Sequence, residues 1–304
     1  MDSQTRKHLS RPLELLARSP LWAIRPEAIL SVLRFTAGAG INSWMADSGW
    51  EAAKPSIQGK GANKMAVIPV HGVLTKDGPS YYGSNYDTIT SALESAGADS
   101  AVKHVVLSVD SPGGEVTGLP ETAAVLAQVA KVKPVSAIVE GTSASAAYWL
   151  TSQANNISLT PSGEVGSVGV RMMHVDVSKM LEDYGYKVTE LYSGDFKTEW
   201  SPYKPLTDEA KTDMQTRLDS VHTDFLNAVA QGRGSRVSAE MTGKRMGEGR
   251  MFSSADALSH GLVDKVQSPN EFYRAILPAQ EDASAPEFGF NRRARLDIAR
   301  RRVL

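Results

Sequence analysis

Three short runs rich in Val, Ile and Leu, at residues 65–70, 104–109 and 134–139, constrain this chain more than any other feature. Each is too short for a helix, lacks polar alternation, and is followed by a stretch with helical periodicity. The first helical stretch covers roughly 86–96, with Ile89, Ala92, Leu93 and Ala96 on one face. The next cover 114–131 and 145–152. Strands buried on both faces and alternating with helices predict parallel βαβ units, so the fold class is α/β. Further strands are expected at 157–160, 168–174 and 187–192, with a helix over 175–184 between the last two. Thr207 is placed to cap a long helix reaching about residue 230, whose apolar positions Met214, Leu218, Val221, Phe225 and Val229 step by three or four. Residues 251–266 read as a small helix, a glycine stop and a last strand.

The organisation follows from where this rhythm begins and ends. Residues 1–60 form a helix-biased N-terminal extension, 61–278 the main domain, and 279–304 a flexible tail whose last fourteen residues hold six Arg against one Asp. That tail is expected to be solvated and disordered in preference to contacting nucleic acid. With no cysteine, a thiol nucleophile, a disulfide framework and a cysteine–zinc site are excluded. A net charge of −1 gives no global pull toward nucleic acid or membranes. No apolar run reaches the ~18–20 residues needed to span a bilayer, and the N-terminal leucines are interrupted by Arg18, Arg25, Pro26 and Glu27. The expectation is a soluble, cytoplasmic protein. His8, His71, His104, His222 and His260 show no metal-ligand spacing, and Gly232-Arg233-Gly234-Ser235-Arg236 lacks a phosphate-loop lysine. Neither a metal nor a cofactor is expected.

Three local contexts carry chemistry. In Asp110-Ser111-Pro112-Gly113-Gly114, paired glycines after a strand allow close backbone approach and N–H groups aimed at a developing oxyanion. One such donor contributes roughly 3–4 kcal/mol to a transition state. An ordinary strand-to-helix turn explains the same residues, and Ser111 is a weak nucleophile candidate because Pro112 offers no N–H. The second context is Ser145, in Ser143-Ala144-Ser145-Ala146-Ala147, at the start of a helix, where the dipole favours developing negative charge. Here the alternative is a helix start packed by alanines, with Ser143 as the cap. Lys197, between Phe196 and Trp200, is the third. A lysine acting as base near neutrality needs its pKa lowered by about three units, roughly 4–5 kcal/mol, which burial against aromatic rings would help supply. A solvated loop lysine is the plain alternative. His174, 29 positions after Ser145, is a rival base, as in Ser-His proteases of the Clp type.

Taken in order, Asp110–Gly114, Ser145-Ala146-Ala147-Tyr148-Trp149, Gly166-Ser167-Val168-Gly169-Val170 and Ser193-Gly194-Asp195-Phe196-Lys197 resemble the signature blocks of the signal peptide peptidase A family. The resemblance extends to the head-maturation (prohead) proteases of tailed phages and covers about residues 65–275. It implies a Clp/crotonase-like fold and a serine endopeptidase with Ser145 as nucleophile and Lys197 as general base. Ser167 would orient the lysine amine, Gly114 and Ala146 would supply oxyanion N–H groups, and Gly113 would shape the loop. It further implies protein substrates such as capsid scaffold or portal, a homo-oligomeric ring with a dyad that can form across protomers, and action in the host cytoplasm or prohead interior. Ser145-Ala146-Ala147 departs from the family's usual serine followed by two glycines, which narrows the space near the oxyanion. A crotonase-type acyl-CoA enzyme and a non-catalytic capsid scaffold are the other readings.

Overall fold

The structure is a computed structural model that describes residues 21–24, 54–59, 61, 63–77, 83–237, 241 and 246–276. A parallel set of four strands forms its centre: β3 (Lys64–Leu74), β4 (Val102–Glu115), β5 (Val135–Ala144) and β6 (Asn156–Leu159), in that spatial order. The connections are α1 (Tyr86–Ala98), α2 (Leu119–Val132) and α3 (Ala146–Thr151), the crossover arrangement expected of βαβ units. β10 (Lys265–Val266) extends the sheet parallel to β6. The predicted α/β class is therefore observed. Ile68, Val70, Leu107, Val109, Ala137 and Val139 are fully buried and pack with Ile89 and Leu93 of α1 and Leu119 and Leu126 of α2.

Smaller strands decorate this core. β2 (Ser56–Gln58) pairs antiparallel with β3, and β7 (Glu164–Gly166) pairs parallel with the end of β5 and antiparallel with β9 (Met251–Ser253). β1 (Leu21–Ile24) is antiparallel to both β4 and β8 (Arg171–Met172). The remaining helices are α4 (Ser178–Asp183), α5 (Asp208–Arg233), α6 (Ser254–Ser259) and, described by itself, α7 (Pro269–Ile276). Thr207 caps α5 as predicted, its side chain accepting from the Ala210 N–H.

Four expectations are corrected. Helix was expected near the N-terminus, but residues 21–24 and 56–58 are strands; the rest of 1–60 and the tail at 279–304 lie largely or wholly outside the described residues. The short apolar stretch at 21–24 gains more from two neighbouring strand edges than from one helical turn, since an isolated helix of that length is unstable. The helix expected from Gly114 starts only at Leu119, and residues 110–114 continue β4, held on one side by Val73 and Leu74 of β3. Nor do residues 187–192 form a strand; Leu191 is 94% exposed and Tyr192 57%. A strand needs a partner edge, and the described residues of one chain offer none there. Ser143, finally, does not cap α3: its hydroxyl is buried against that of Thr151 at 2.6 Å, pinning the strand to the end of that helix.

Candidate active site

At the carboxyl end of β5 the backbone takes a conformation that L-residues avoid. Ser145 has φ 55° and ψ −121°, and Ser167 has φ 52°; among the described residues they alone combine a side chain with a positive φ. Such positions cost on the order of 1–3 kcal/mol and persist where the surroundings over-determine them. For Ser145 the surroundings are visible. Its N–H donates to the Gly166 carbonyl at 2.8 Å, its carbonyl accepts from the Trp149 N–H at 3.0 Å, and α3 begins at the next residue. Trp149 in turn stacks on Phe225 of α5, ring centroids 4.7 Å apart. The kink thus turns the Ser145 side chain out of the sheet at a helix N-terminus, 1% exposed, with Oγ donating to the Gly169 carbonyl at 3.3 Å.

Ala146 is the first residue of α3, so its N–H has no acceptor within the helix. Gly113, at φ 101°, donates its own N–H to Ser111 Oγ at 3.2 Å, and that hydroxyl donates to the Gly72 carbonyl at 2.7 Å. Ser111 is therefore a brace for the glycine pair. Gly114 is glycine for a steric reason: a Cβ there would lie 1.9 Å from the Leu74 carbonyl oxygen of β3. The Gly113 N–H is thus committed to Ser111, while Gly114 stands between Leu74 of β3 and Ala23 of β1. Asp110, beside this pair, accepts the Thr142 N–H at 3.0 Å and ties β4 to the end of β5.

Ser167 follows directly on β7, its N–H donating to the Arg250 carbonyl at 2.7 Å. It lines a cleft of about 500 Å³ with Gly169, Arg171, Gln215, Asp219 and His222. His222, read as structural from the sequence, stands in this cleft with Nε2 buried and unpartnered. Its position on the same face of α5 as Leu218 and Val221 was the signal that it faces inward. A larger cleft of about 620 Å³, lined by Ile57, Ala66, Ile68, Ala92 and Ala96, shares no residue with the Ser145 region. Among the described residues no cluster of His, Asp and Glu is arranged to hold a metal ion.

Lys197 is not brought to Ser145 within one chain. It is exposed, its N–H donating to the Gly194 carbonyl, and its amine makes no hydrogen bond or ion pair with another described residue. Phe196, expected to dry the amine, is 65% exposed; Trp200 carries Arg217 over its ring at 4.7 Å instead. The dry lysine pocket expected from the sequence is absent from the described residues of the single chain. The same segment is unusually apolar for a surface: of the thirteen exposed large hydrophobic residues among those described, ten fall between 173 and 203. His174, the rival base, donates Nε2–H to the Ser201 carbonyl at 3.0 Å and makes no hydrogen bond with Ser145, whose Oγ donates to the Gly169 carbonyl.

The site thus joins a serine turned out of a parallel sheet at a helix N-terminus to a glycine pair near the end of the neighbouring strand. Residues 127–281, just over half of the chain, match Peptidase family S49, and the chain belongs to that family. Among curated relatives it is 32% identical to the capsid assembly protease C of Escherichia phage lambda, over 67% of this chain and 46% of the relative. It is 34% identical to the head-tail preconnector protein GP5 of Enterobacteria phage P21, over 67% of this chain and 41% of the relative. The chain thus spans less than half the length of these two relatives. A solved structure, that of a point mutant of the membrane-bound stomatin-specific protease 1510-N, is 16% identical with a TM-score of 0.40, covering 68% of this chain and 81% of that one. No helix among the described residues is long and apolar enough to cross a membrane.

Proposed function

We propose that this protein is a serine endopeptidase that processes phage head proteins, scaffold or portal, in the host cytoplasm or the prohead interior. The observation that carries the reading is the forced positive φ of Ser145 at the α3 N-terminus, where β5 leaves the neighbouring strand that holds Gly113 and Gly114. Family membership and the names of the two phage relatives support the substrate class. Ser145 Oγ attacks the scissile carbonyl while Lys197 takes its proton. The oxyanion is held by the Gly114 and Ala146 N–H groups, and Gly113 sets the backbone that presents them. Lys197 then protonates the leaving amine and deprotonates the water that hydrolyses the ester.

Lys197 reaches Ser145 from a neighbouring protomer of a homo-oligomeric ring, with Ser167 receiving and orienting the amine. The exposed apolar run at 173–203 supports this, because a surface of that kind marks a contact with another protein. Burial at that contact would also desolvate the amine, which a lysine base requires.

Co-expression with candidate head proteins, read by intact mass, tests the proposal. Wild type is expected to cleave, while Ser145→Ala and Lys197→Ala are inactive and His174→Ala is active. Mixing the two inactive variants is expected to restore activity, since a mixed ring contains sites with both an intact serine and an intact lysine. Leu191→Glu is expected to dissociate the oligomer in sedimentation and abolish cleavage. Activity in Lys197→Ala would remove the base from the scheme, and failure of the mixture would place the dyad within one chain.

A further inference from the structure

We infer that β1 lies in the peptide-binding slot as the enzyme's own first substrate, and that the Ala23–Ile24 bond is cleaved by Ser145. This rests on the assignment of Ser145 above. The argument is one of sheet edges. A strand has two edges, and Gly113 and Gly114 of β4 use one of them for Val73 and Leu74 of β3. The other edge is occupied by β5 as far as the Ser111↔Ser143 pair, two residues short of Ser145. There β5 kinks away into α3, and β1 takes the vacated edge, pairing Ile24↔Gly113, Ala23↔Gly114 and Trp22↔Glu115. The C-terminal end of β1 is therefore the end that faces the kink at Ser145.

The far side of β1 is closed by the segment that follows Ser167. β8 pairs Arg171↔Trp22 and Met172↔Leu21, and among the described residues it joins the sheet only through β1. At a strand spacing of about 4.8 Å, withdrawing β1 leaves a slot roughly 10 Å wide between β4 and β8. That width fits one extended peptide, held by main-chain bonds on both sides, as in recognition by strand addition. A strand placed only for stability has no reason to lie between the two segments that frame the nucleophile.

The register selects the bond. Gly113 has given its N–H to Ser111 Oγ, so the glycine donor available to an oxyanion is Gly114, and the residue opposite Gly114 is Ala23. Ser145 Oγ forms an ester with the Ala23 carbonyl carbon as the bond to the Ile24 nitrogen breaks. The hydroxyl proton passes through the lysine base to the Ile24 amine. Water then hydrolyses the ester, releasing a carboxylate at Ala23 and restoring the serine. Until that cut, the slot is closed to other peptides.

The test uses the full chain, purified and assembled, incubated and read by intact mass and N-terminal sequencing, beside cleavage of an unrelated reporter protein. Wild type is expected to yield a chain beginning at Ile24, and Ser145→Ala to remain uncut. Ile24→Pro, which turns the scissile bond into a tertiary amide without an N–H, is expected to slow the cut at least tenfold, with Ile24→Val behaving as wild type. Reporter cleavage should rise as the wild-type fragment accumulates. Ser145-dependent reporter cleavage with residues 1–23 retained, or with the cut elsewhere, would overturn this inference and leave the peptidase assignment standing. Cleavage of neither the chain nor the reporter would remove both.

Discussion

Gly114→Ala isolates the sterics on which the proposed oxyanion geometry depends. Gly114 has no positive φ, so backbone strain plays no part in the expected effect. The added Cβ would meet Leu74 O at 1.9 Å, Leu74 C at 2.6 Å and Leu74 N at 2.6 Å, all backbone of β3. Ordinary van der Waals contact for a Cβ begins near 3.4 Å, so β3 and β4 would have to separate by more than an ångström. β3 is fixed by its long ladder with β4, and overpacking of this kind costs about 1–3 kcal/mol. For a domain of this size that is a fall in melting temperature of roughly 2–12 °C. The catalytic effect should be larger. Displacing one oxyanion donor costs about 10²–10³ in rate. The assay is the rate of Ser145 labelling by a fluorophosphonate beside a melting curve, with Gly169→Ala as stability control, because a Cβ there meets nothing nearer than 3.8 Å. A Gly114→Ala protein that melts like wild type and labels at the wild-type rate would refute the placement of β3 against the glycine pair and its role at the oxyanion.

Two further outcomes concern the frame that holds the site. Arg233, fully buried, grips Asp264 with two bonds of 2.8 and 3.0 Å and the Gly261 carbonyl with two more, while Asp264 accepts the Ile157 N–H. Arg233→Met should cost less than the about 3–5 kcal/mol of a fully stranded buried charge, because Arg236 at 3.6 Å and the Ile157 N–H still face Asp264; it is read as the urea midpoint, with partial recovery in the double variant carrying Asp264→Asn. Burial holds the His71 imidazole below its ordinary pKa, opposed by the Glu140 and Asp110 charges, and burial does the same to His104. As pH falls the unfolded chain therefore takes up these protons first. The stability they contribute is full above about pH 6.5 and is lost as pH drops toward the folded-state values, at up to ~1.4 kcal/mol per pH unit per proton. Replacing both by Asn should flatten the stability profile between about pH 7.5 and 5; an unchanged slope would show that other groups set it.

The amino-acid sequence determined the central sheet and its helices, because runs such as 104–109 and 134–139 are apolar on both faces and can be buried only between helices. It also singled out Ser145, Ser167, Gly113 and Gly114, which stand at or near strand ends in surroundings that show why the backbone there is special. Tertiary structure decided what no local pattern encodes. That Gly113 serves Ser111, and that Gly114 lies hard against Leu74, depends on β3 and β4 meeting at one register. The apolar residues at 187–192 read as a strand because alternation marks a surface that will be covered, without saying by what; in one chain they are exposed, and Lys197 with them. Residues 21–24 are too few to declare a conformation and became a strand because two edges awaited them beside Ser145. Local propensity fixes which residues a segment can bury, whereas the partner that buries them is chosen by the whole fold.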